Sequence, residues 1–567
     1  MKSKWINRVL SGVLAISLLA ATPVYARGTD GTSGDGTAKT SPLAKYFDES
    51  QLNPDYVEWV ENGKQGAMPT YQDFSYLTKS YARLGAMQNA LLPEEYDLRD
   101  YGKVEPVLDQ NPLGICWAIA ANSAAASPLM EQFPQTSFSP IHTTWFTFRG
   151  PEEEESRPVE DPYMAGGNDA NAVAAMAAWK GPVFEERAPL NPQNQQNPEE
   201  SLRYAADYHL QDAYYMPNGN YFDSDWGLDV YIDTAIIKQM LMNNMSITIH
   251  YYSSGMSDYY NEETSAWYNS EPVSTDHAVL IAGWDDNYPK ENFLEGKQPE
   301  HDGAWLIRNS WGADWGDDGY FWLSYEDKSI TTGPAYLLEE ADNYTKNYQY
   351  DTAGWSYSVA TDAERLTRST AANIFTAASD EQLEAVSFYT TDAGTEYSIS
   401  VYTGVEEGQP ESGRLALQNQ TGTEPYAGYH TIELKEPVSL KAGERFSIVV
   451  TWENPEFESP LPIEWCPVPN EEYVPEHLGN GGESYVLSDG QWLDVAGNAG
   501  DFYISNVCIK GFTNLLPESG EAVPTVRFSE MEGPVENNTF LSLDAEGADE
   551  IWVSVDGRKA FRLTDTG

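Results

Sequence analysis

The sequence predicts an α+β domain followed by an all-β sandwich of jelly-roll type. Three observations carry this. Between Leu92 and about Glu340, helical patterns come first and strands rich in β-branched and aromatic residues follow, the order of an α+β arrangement. Between Tyr348 and about Asn514, strand follows strand with Gly and Asp turns between them, which reads as a sandwich. The composition supplies both cores: 41% of the 567 residues are hydrophobic and 13% aromatic, against 21% charged. That balance excludes general disorder.

Net charge narrows the function classes. The chain carries 33 Lys plus Arg against 88 Asp plus Glu, a formal charge of −55. Phosphate binding needs a basic footprint, so a nucleic-acid or anionic-membrane partner is excluded. The three cysteines, Cys116, Cys466 and Cys508, lack any C-x-x-C spacing, so neither a zinc ribbon nor a redox motif is present.

Along the chain, Lys2, Lys4 and Arg8 precede an apolar run from Val9 to Ala21, and Val24-Tyr25-Ala26 gives small residues at a cleavage spacing. Residues 1–26 read as a Sec-type signal peptide. The run is too short for a spanning helix of about 20 residues, so a secreted, extracellular protein without a membrane span is expected. Residues 27–41 form a Gly/Ser/Thr linker. Residues 42–91 scatter aromatics, among them Tyr46, Phe47, Tyr56, Trp59, Tyr71 and Phe74, in a stretch suited to docking rather than to folding alone. Three helices are expected next: Cys116–Ala126, ended by Pro128; Ala170–Lys180, capped by Asn168 or Asp169 and stopped by Gly181-Pro182; and Thr234–Leu241. Strands are expected at 247–252, 277–284, 305–309 and 320–325.

The chemistry centres on Cys116. A thiol in the first turn of a helix faces unpaired N–H groups and the positive end of the dipole, and both favour the nucleophilic thiolate. Six residues earlier, the Gln110 amide is placed to donate to a developing oxyanion beside the cysteine's own N–H. Seven histidines compete for the base. His277 opens an apolar strand that would hold it rigidly. Asn309, in Asn309-Ser310-Trp311-Gly312, can accept from the imidazole and fix its tautomer while Trp311 keeps water off that bond.

Together these residues resemble the papain-like cysteine peptidases. The matching stretches are Leu92–Asp100, Gln110 through Cys116-Trp117, Gly166-Gly167-Asn168, Asp276-His277-Ala278-Val279, and Asn309 through Trp315-Gly316 to Gly319-Tyr320. They fall in one order across residues 92–325. The resemblance implies a two-lobed α+β peptidase domain over 92–340. In it Cys116 is the nucleophile, His277 the general acid/base, Asn309 the orienter, Gln110 the oxyanion donor and Trp311 a shield. Gly166 and Gly167 would pair their backbone with an extended protein or peptide substrate.

The departures are as specific. Ile115 stands where the family carries a small residue, and the family's cysteine just before the nucleophile is absent. His277 and Asn309 lie 161 and 193 residues after Cys116, beyond the roughly 130–150 of papain and cathepsins. Insertions near 145–165, with Glu152–Glu155, and near 285–303 absorb part of that excess. The long helical pro-segment motif is not visible in residues 27–91, which read as a linker with a short propeptide ending near Leu91 or as an extension that stays attached.

The region 348–514 resembles the lectin-like β domain that follows papain-like domains in some exported bacterial proteins, which implies a cell-surface or glycan ligand. Trp452 and Trp492 read as core rather than as a sugar platform. Residues 515–567 form a further β-like remnant. Nothing calls for a cofactor or metal; Asp285-Asp286-Asn287 has calcium-ligand residue types but reads as a solvated turn. Cys466 and Cys508 are either bridged or two buried free thiols. The bridge is the expectation, because it leaves Cys116 the lone thiol. The activity expected is a secreted thiol endopeptidase. The alternatives are a surface-binding protein led by the β domain and a thiol transpeptidase or peptidoglycan amidase on the same scaffold.

Overall fold

The computed structural model describes residues 40–46, 52–62, 67–85, 92–149, 161–223, 228–230, 232, 234–362, 364–467, 479–499 and 502–516, together with short strands beyond residue 524. The signal peptide, the linker to residue 39, Phe47 and the Glu152–Glu155 run lie outside the described residues. Residues 1–514 form one compact unit and 515–567 another. In the second, Thr525–Phe528 pairs with Leu543–Glu546, and Ile551–Val553 with Phe561–Leu563.

The α+β domain is built on one helix and one sheet. Helix Cys116–Ala126 is buried along its whole length. Its alanines leave room for the strand His277–Asp285 to pack against it. That strand lies between Thr248–Tyr251 and Ala304–Arg308, all antiparallel. Leu280 sits opposite Arg308. Moving forward to Asn309 therefore means moving back along the neighbour toward His277, so register alone brings the two residues to one end of the sheet. Strand Tyr320–Ser324 continues the sheet beyond Ala304–Arg308.

The predicted helices appear with small shifts. The second is Asp169–Ala177, with Asn168 as N-cap and a reciprocal capping box to Asn171. It ends before Lys180 because Trp179 takes a left-handed φ of 62°. The third is Thr234–Met242. Helix Pro140–Thr147, capped by Ser139, and strand Tyr208–Tyr215 were not expected.

The β region folds into antiparallel sheets as predicted, but its border with the α+β domain is not a border in space. Pro334–Glu340 and Tyr208–Tyr215, from the first domain, pair with each other, and Tyr208–Tyr215 pairs onward with Ala427–Leu440 of the second. One six-stranded sheet thus spans both domains, continuing through Glu381–Thr390 and Ile509–Leu515 to Lys346–Tyr348. Trp452 is fully buried and donates to Tyr389 O at 2.9 Å. Trp492 is only half-buried, its indole donating to Glu411 at 3.1 Å.

The expected Cys466–Cys508 bridge is overturned. Cys508 is a buried free thiol. Strand Leu461–Pro467 sets Cys466 opposite Tyr503, whereas the Cys508 N–H reaches Pro462 O. Four residues of strand at about 3.3 Å each hold the two Cα atoms well beyond the roughly 7 Å a disulfide tolerates.

The segment described over 40–46, 52–62 and 67–85 packs within the first unit. It contains helices Pro54–Asn62 and Tyr76–Gly85, neither of which the sequence reading placed. Between them Ala67 forms a parallel bridge with Gly167.

Candidate active site

Cys116 is the first residue of its helix, and the residue before it, Ile115, offers no side-chain cap. The first-turn N–H groups therefore stay free to face the thiol and an oxyanion. Across from it, His277 Nε2 meets Asn309 Oδ1 at 2.8 Å, both residues buried. The Trp311 ring stacks on the imidazole with centroids 4.7 Å apart and planes 18° from parallel. The indole thus lies flat against the His277 ring.

Burial pushes the Cys116 thiol up to about 11, while backbone N–H groups of Ala278 and Trp117 pull the other way. It holds the His277 imidazole down to about 4, against the opposing bond from Asn309. In this covered arrangement both groups favour their neutral forms.

Gln110 is fixed from two sides. Its Oε1 accepts from Ser310 Oγ at 2.6 Å, and its Nε2 donates to Leu113 O at 2.9 Å. The loops are laced together by Gln110 N to Ser310 O at 2.9 Å and Gly312 N to Leu108 O at 3.0 Å. Ser310, one residue of the Asn309–Gly312 run, carries no signal of its own in the sequence. Only its pairing across two hundred residues gives it a role.

Gly166 and Gly167 serve different ends. Gly166 takes a φ of 76°, which suits glycine. At Gly167 an added Cβ would lie 2.3 Å from the Trp117 indole, so its missing side chain makes room for Trp117 rather than for the peptide. Its backbone pairs with a segment of this chain. Met68 N donates to Gly167 O at 2.7 Å, Ala67 N to Asp276 O at 3.3 Å, and Asn168 Nδ2 to Pro69 O at 3.2 Å. Ala67 and Met68 are fully buried there. Beside them a cavity of about 370 Å³ is bounded by Pro69 and Thr70 on one side and by Asp169, His250 and Thr275 on the other. Asp169 pairs with His250 at 2.7 Å and accepts from Thr248 Oγ1 at 2.8 Å.

The turn at Asp285–Asn287 spends its carboxylates on protein groups. Asp285 accepts from Asn287 N, and Asp286 from Tyr325 OH and the Lys238 ammonium.

Residues 92–338 match the family profile described as papain family cysteine protease, and residues 347–513 match the one described as lectin like domain. The chain carries a papain-family peptidase domain. A lectin-like domain follows it. Among solved structures, the clostridial cysteine protease Cwp84 after propeptide cleavage is 25% identical, with a TM-score of 0.62 over 74% of this chain and 99% of that one. The protease and lectin-like domains of Cwp84, a surface-layer-associated protein of Clostridium difficile, superpose with a TM-score of 0.65 over 85% and 100%, at 24% identity. That second likeness speaks for the fold. The oryzain gamma chain of Oryza sativa subsp. japonica is 26% identical over 281 residues, 44% of this chain and 64% of that protein. Cathepsin L2 of Homo sapiens is 26% identical over 256 residues, 43% and 64%. The chain spans about three fifths of the length of the curated relatives it matches.

Proposed function

We propose that the chain is an exported thiol endopeptidase in which Cys116, His277, Asn309 and Gln110 carry the reaction. The bond from His277 Nε2 to Asn309 Oδ1 supports this best, because it leaves Nδ1 as the imidazole nitrogen for the thiol. His277 takes the Sγ proton and the thiolate attacks the scissile carbonyl carbon. The oxyanion is received by the Cys116 N–H and by the second N–H of the Gln110 amide. His277 then gives its proton to the leaving amine. Water, deprotonated by the same imidazole, hydrolyses the thioester and restores the thiol. The cavity floored by Asp169 and His250 receives a substrate side chain.

Residues 67–70 cover the cleft, so the chain as folded is a closed form and residues 27–91 act as a propeptide. Export rests on residues 1–26; among the described residues no helix is long and apolar enough to cross a membrane. The surface-layer association of Cwp84 supports a place at the cell surface, with a glycan as ligand of the lectin-like domain.

An epoxide-type thiol inhibitor tests the assignment. In a chain with Met68→Asp, which opens the cleft by making the buried contact untenable, the label should enter Cys116 far faster than Cys508 or Cys466. Equal labelling of all three cysteines, or an inert Cys116, refutes it.

A further inference from the structure

We propose that the lectin-like domain has a second role as the anchor of the inhibitory segment, so that cutting the chain between Gly85 and Leu92 does not open the cleft. The inference rests on the peptidase reading above and concerns what holds the cover in place.

Among the described residues, the cover's hydrogen bonds to the catalytic cleft are the backbone bonds of Ala67 and Met68 and the bond from Asn168 to Pro69, each of which replaces a bond to water and is worth little net; of residues 67–70 only Ala67 enters the peptidase core. A short strand held only so would leave once untethered. The stretches on either side are held elsewhere. Ser41 Oγ donates to Val495 O at 2.6 Å. Tyr71 meets Trp465 edge-on at 5.9 Å, and Ser358 Oγ donates to Gln72 Oε1 at 2.9 Å. Tyr76 stacks on Phe457, with centroids 3.8 Å apart and planes 4° from parallel, and its hydroxyl donates to Thr391 O at 2.8 Å. One turn further along the same face, Ser80 bonds Asp392. Tyr81 bridges the shared sheet, donating to Tyr215 O and accepting from Ala427 N.

Val495, Trp465, Ser358, Phe457, Thr391, Asp392 and Ala427 all belong to the lectin-like domain. Leu43, Tyr56, Trp59, Met68 and Tyr71 share its hydrophobic core, while Ala67, Phe74, Leu77 and Tyr81 pack in the cluster of the peptidase core, which also takes in Trp355, Tyr389 and Tyr429 of the lectin-like domain. Buried aromatic side chains dominate such interfaces, so Tyr56, Trp59 and Tyr71 give the lectin-like domain a large share of the binding strength, while occlusion falls on the peptidase domain. Because one sheet spans the two domains, the anchor keeps a fixed place relative to the cleft, and the cover is positioned without the covalent link.

The test uses the full chain with a site for a sequence-specific protease inserted between residues 86 and 91, cut to completion. Cys116 labelling by the epoxide is compared in four forms: wild type, Phe457→Ala, Tyr76→Ala and Met68→Asp. Phe457 and Tyr76 are half-buried, so neither change removes a core residue, and gel filtration reports whether the cut segment stays bound. The expected result is that cut wild type retains its segment and labels at least about tenfold more slowly than Met68→Asp. Phe457→Ala and Tyr76→Ala should lose the segment and approach the Met68→Asp rate, roughly a tenfold gain. If cut wild type labels as fast as Met68→Asp, or if the two anchor variants label as slowly as wild type, the anchor role is overturned while the peptidase reading stands. If Met68→Asp itself does not label at Cys116, the peptidase reading falls, and the inference with it.

Discussion

Ser310→Ala is the change that separates positioning from catalysis in this site. Ser310 and Gln110 are both buried, and the serine hydroxyl donates to Gln110 Oε1 at 2.6 Å. With that bond and the one from Nε2 to Leu113 O, the amide is held with its nitrogen available for the oxyanion role proposed above. A flipped amide would set oxygen against both the Leu113 carbonyl and the oxyanion. Removing the hydroxyl takes away one of two locks, worth about 0.5–1.5 kcal/mol, or roughly a two- to tenfold loss of kcat. Gln110→Ala removes the donor itself and should cost roughly 10²–10³ in kcat. Because Ser310 acts through Gln110, the double variant should be no slower than Gln110→Ala alone. The assay is hydrolysis of a fluorogenic peptide at saturating substrate, with the covering segment displaced in the same way in every variant. KM should move little, since the oxyanion contact is made in the transition state. Independent, multiplying effects of the two changes would refute the argument, as would a Ser310→Ala enzyme with wild-type kcat.

Other consequences follow from the same geometry. Asn309→Ala frees His277 Nε2 and should lower kcat roughly ten- to hundredfold, the range of one hydrogen bond to a group that becomes charged; an unchanged pH–rate profile and kcat would contradict the orienting role. Gly167→Ala places a methyl 2.3 Å from Trp117 and should cost about 1–3 kcal/mol of stability, read by urea unfolding, with a neutral result disproving the tight approach. Burial, with the Asp351 carboxylate second, pushes the Glu464 carboxyl up to about 8. Its stabilising contribution is present below the unfolded value of about 4.5 and is lost as pH rises to about 8. Glu464→Gln should therefore gain on wild type more at pH 8 than at pH 5, and equal differences at the two pH values would exclude this account.

Much of the candidate site was legible in the sequence because its signals are local. A cysteine opening an alanine-rich helix, a histidine opening an apolar strand, and an asparagine closing another are each positioned by their own element. The helix starting at Cys116 and the strands at His277 and Ala304 lie where expected. Asn168 caps its helix for the same local reason. The capping box and the flanking turns need nothing from the rest of the chain.

What the sequence by itself determined is therefore the two domain types and the order of the motifs, and it named the residues proposed to react. Tertiary structure alone decided the partner of Gln110, the separation of Cys466 from Cys508, the sheet shared by the two domains and the seat of residues 67–70 in the cleft. Each of these depends on contacts between residues far apart in the chain. Periodicity reports which face of an element is apolar, not which distant face will cover it. The scattered aromatics of residues 42–91 announced a surface that needed burying, and only the packed structure divided it, with Tyr56, Trp59 and Tyr71 in the lectin-like core and Phe74 and Tyr81 in the peptidase core.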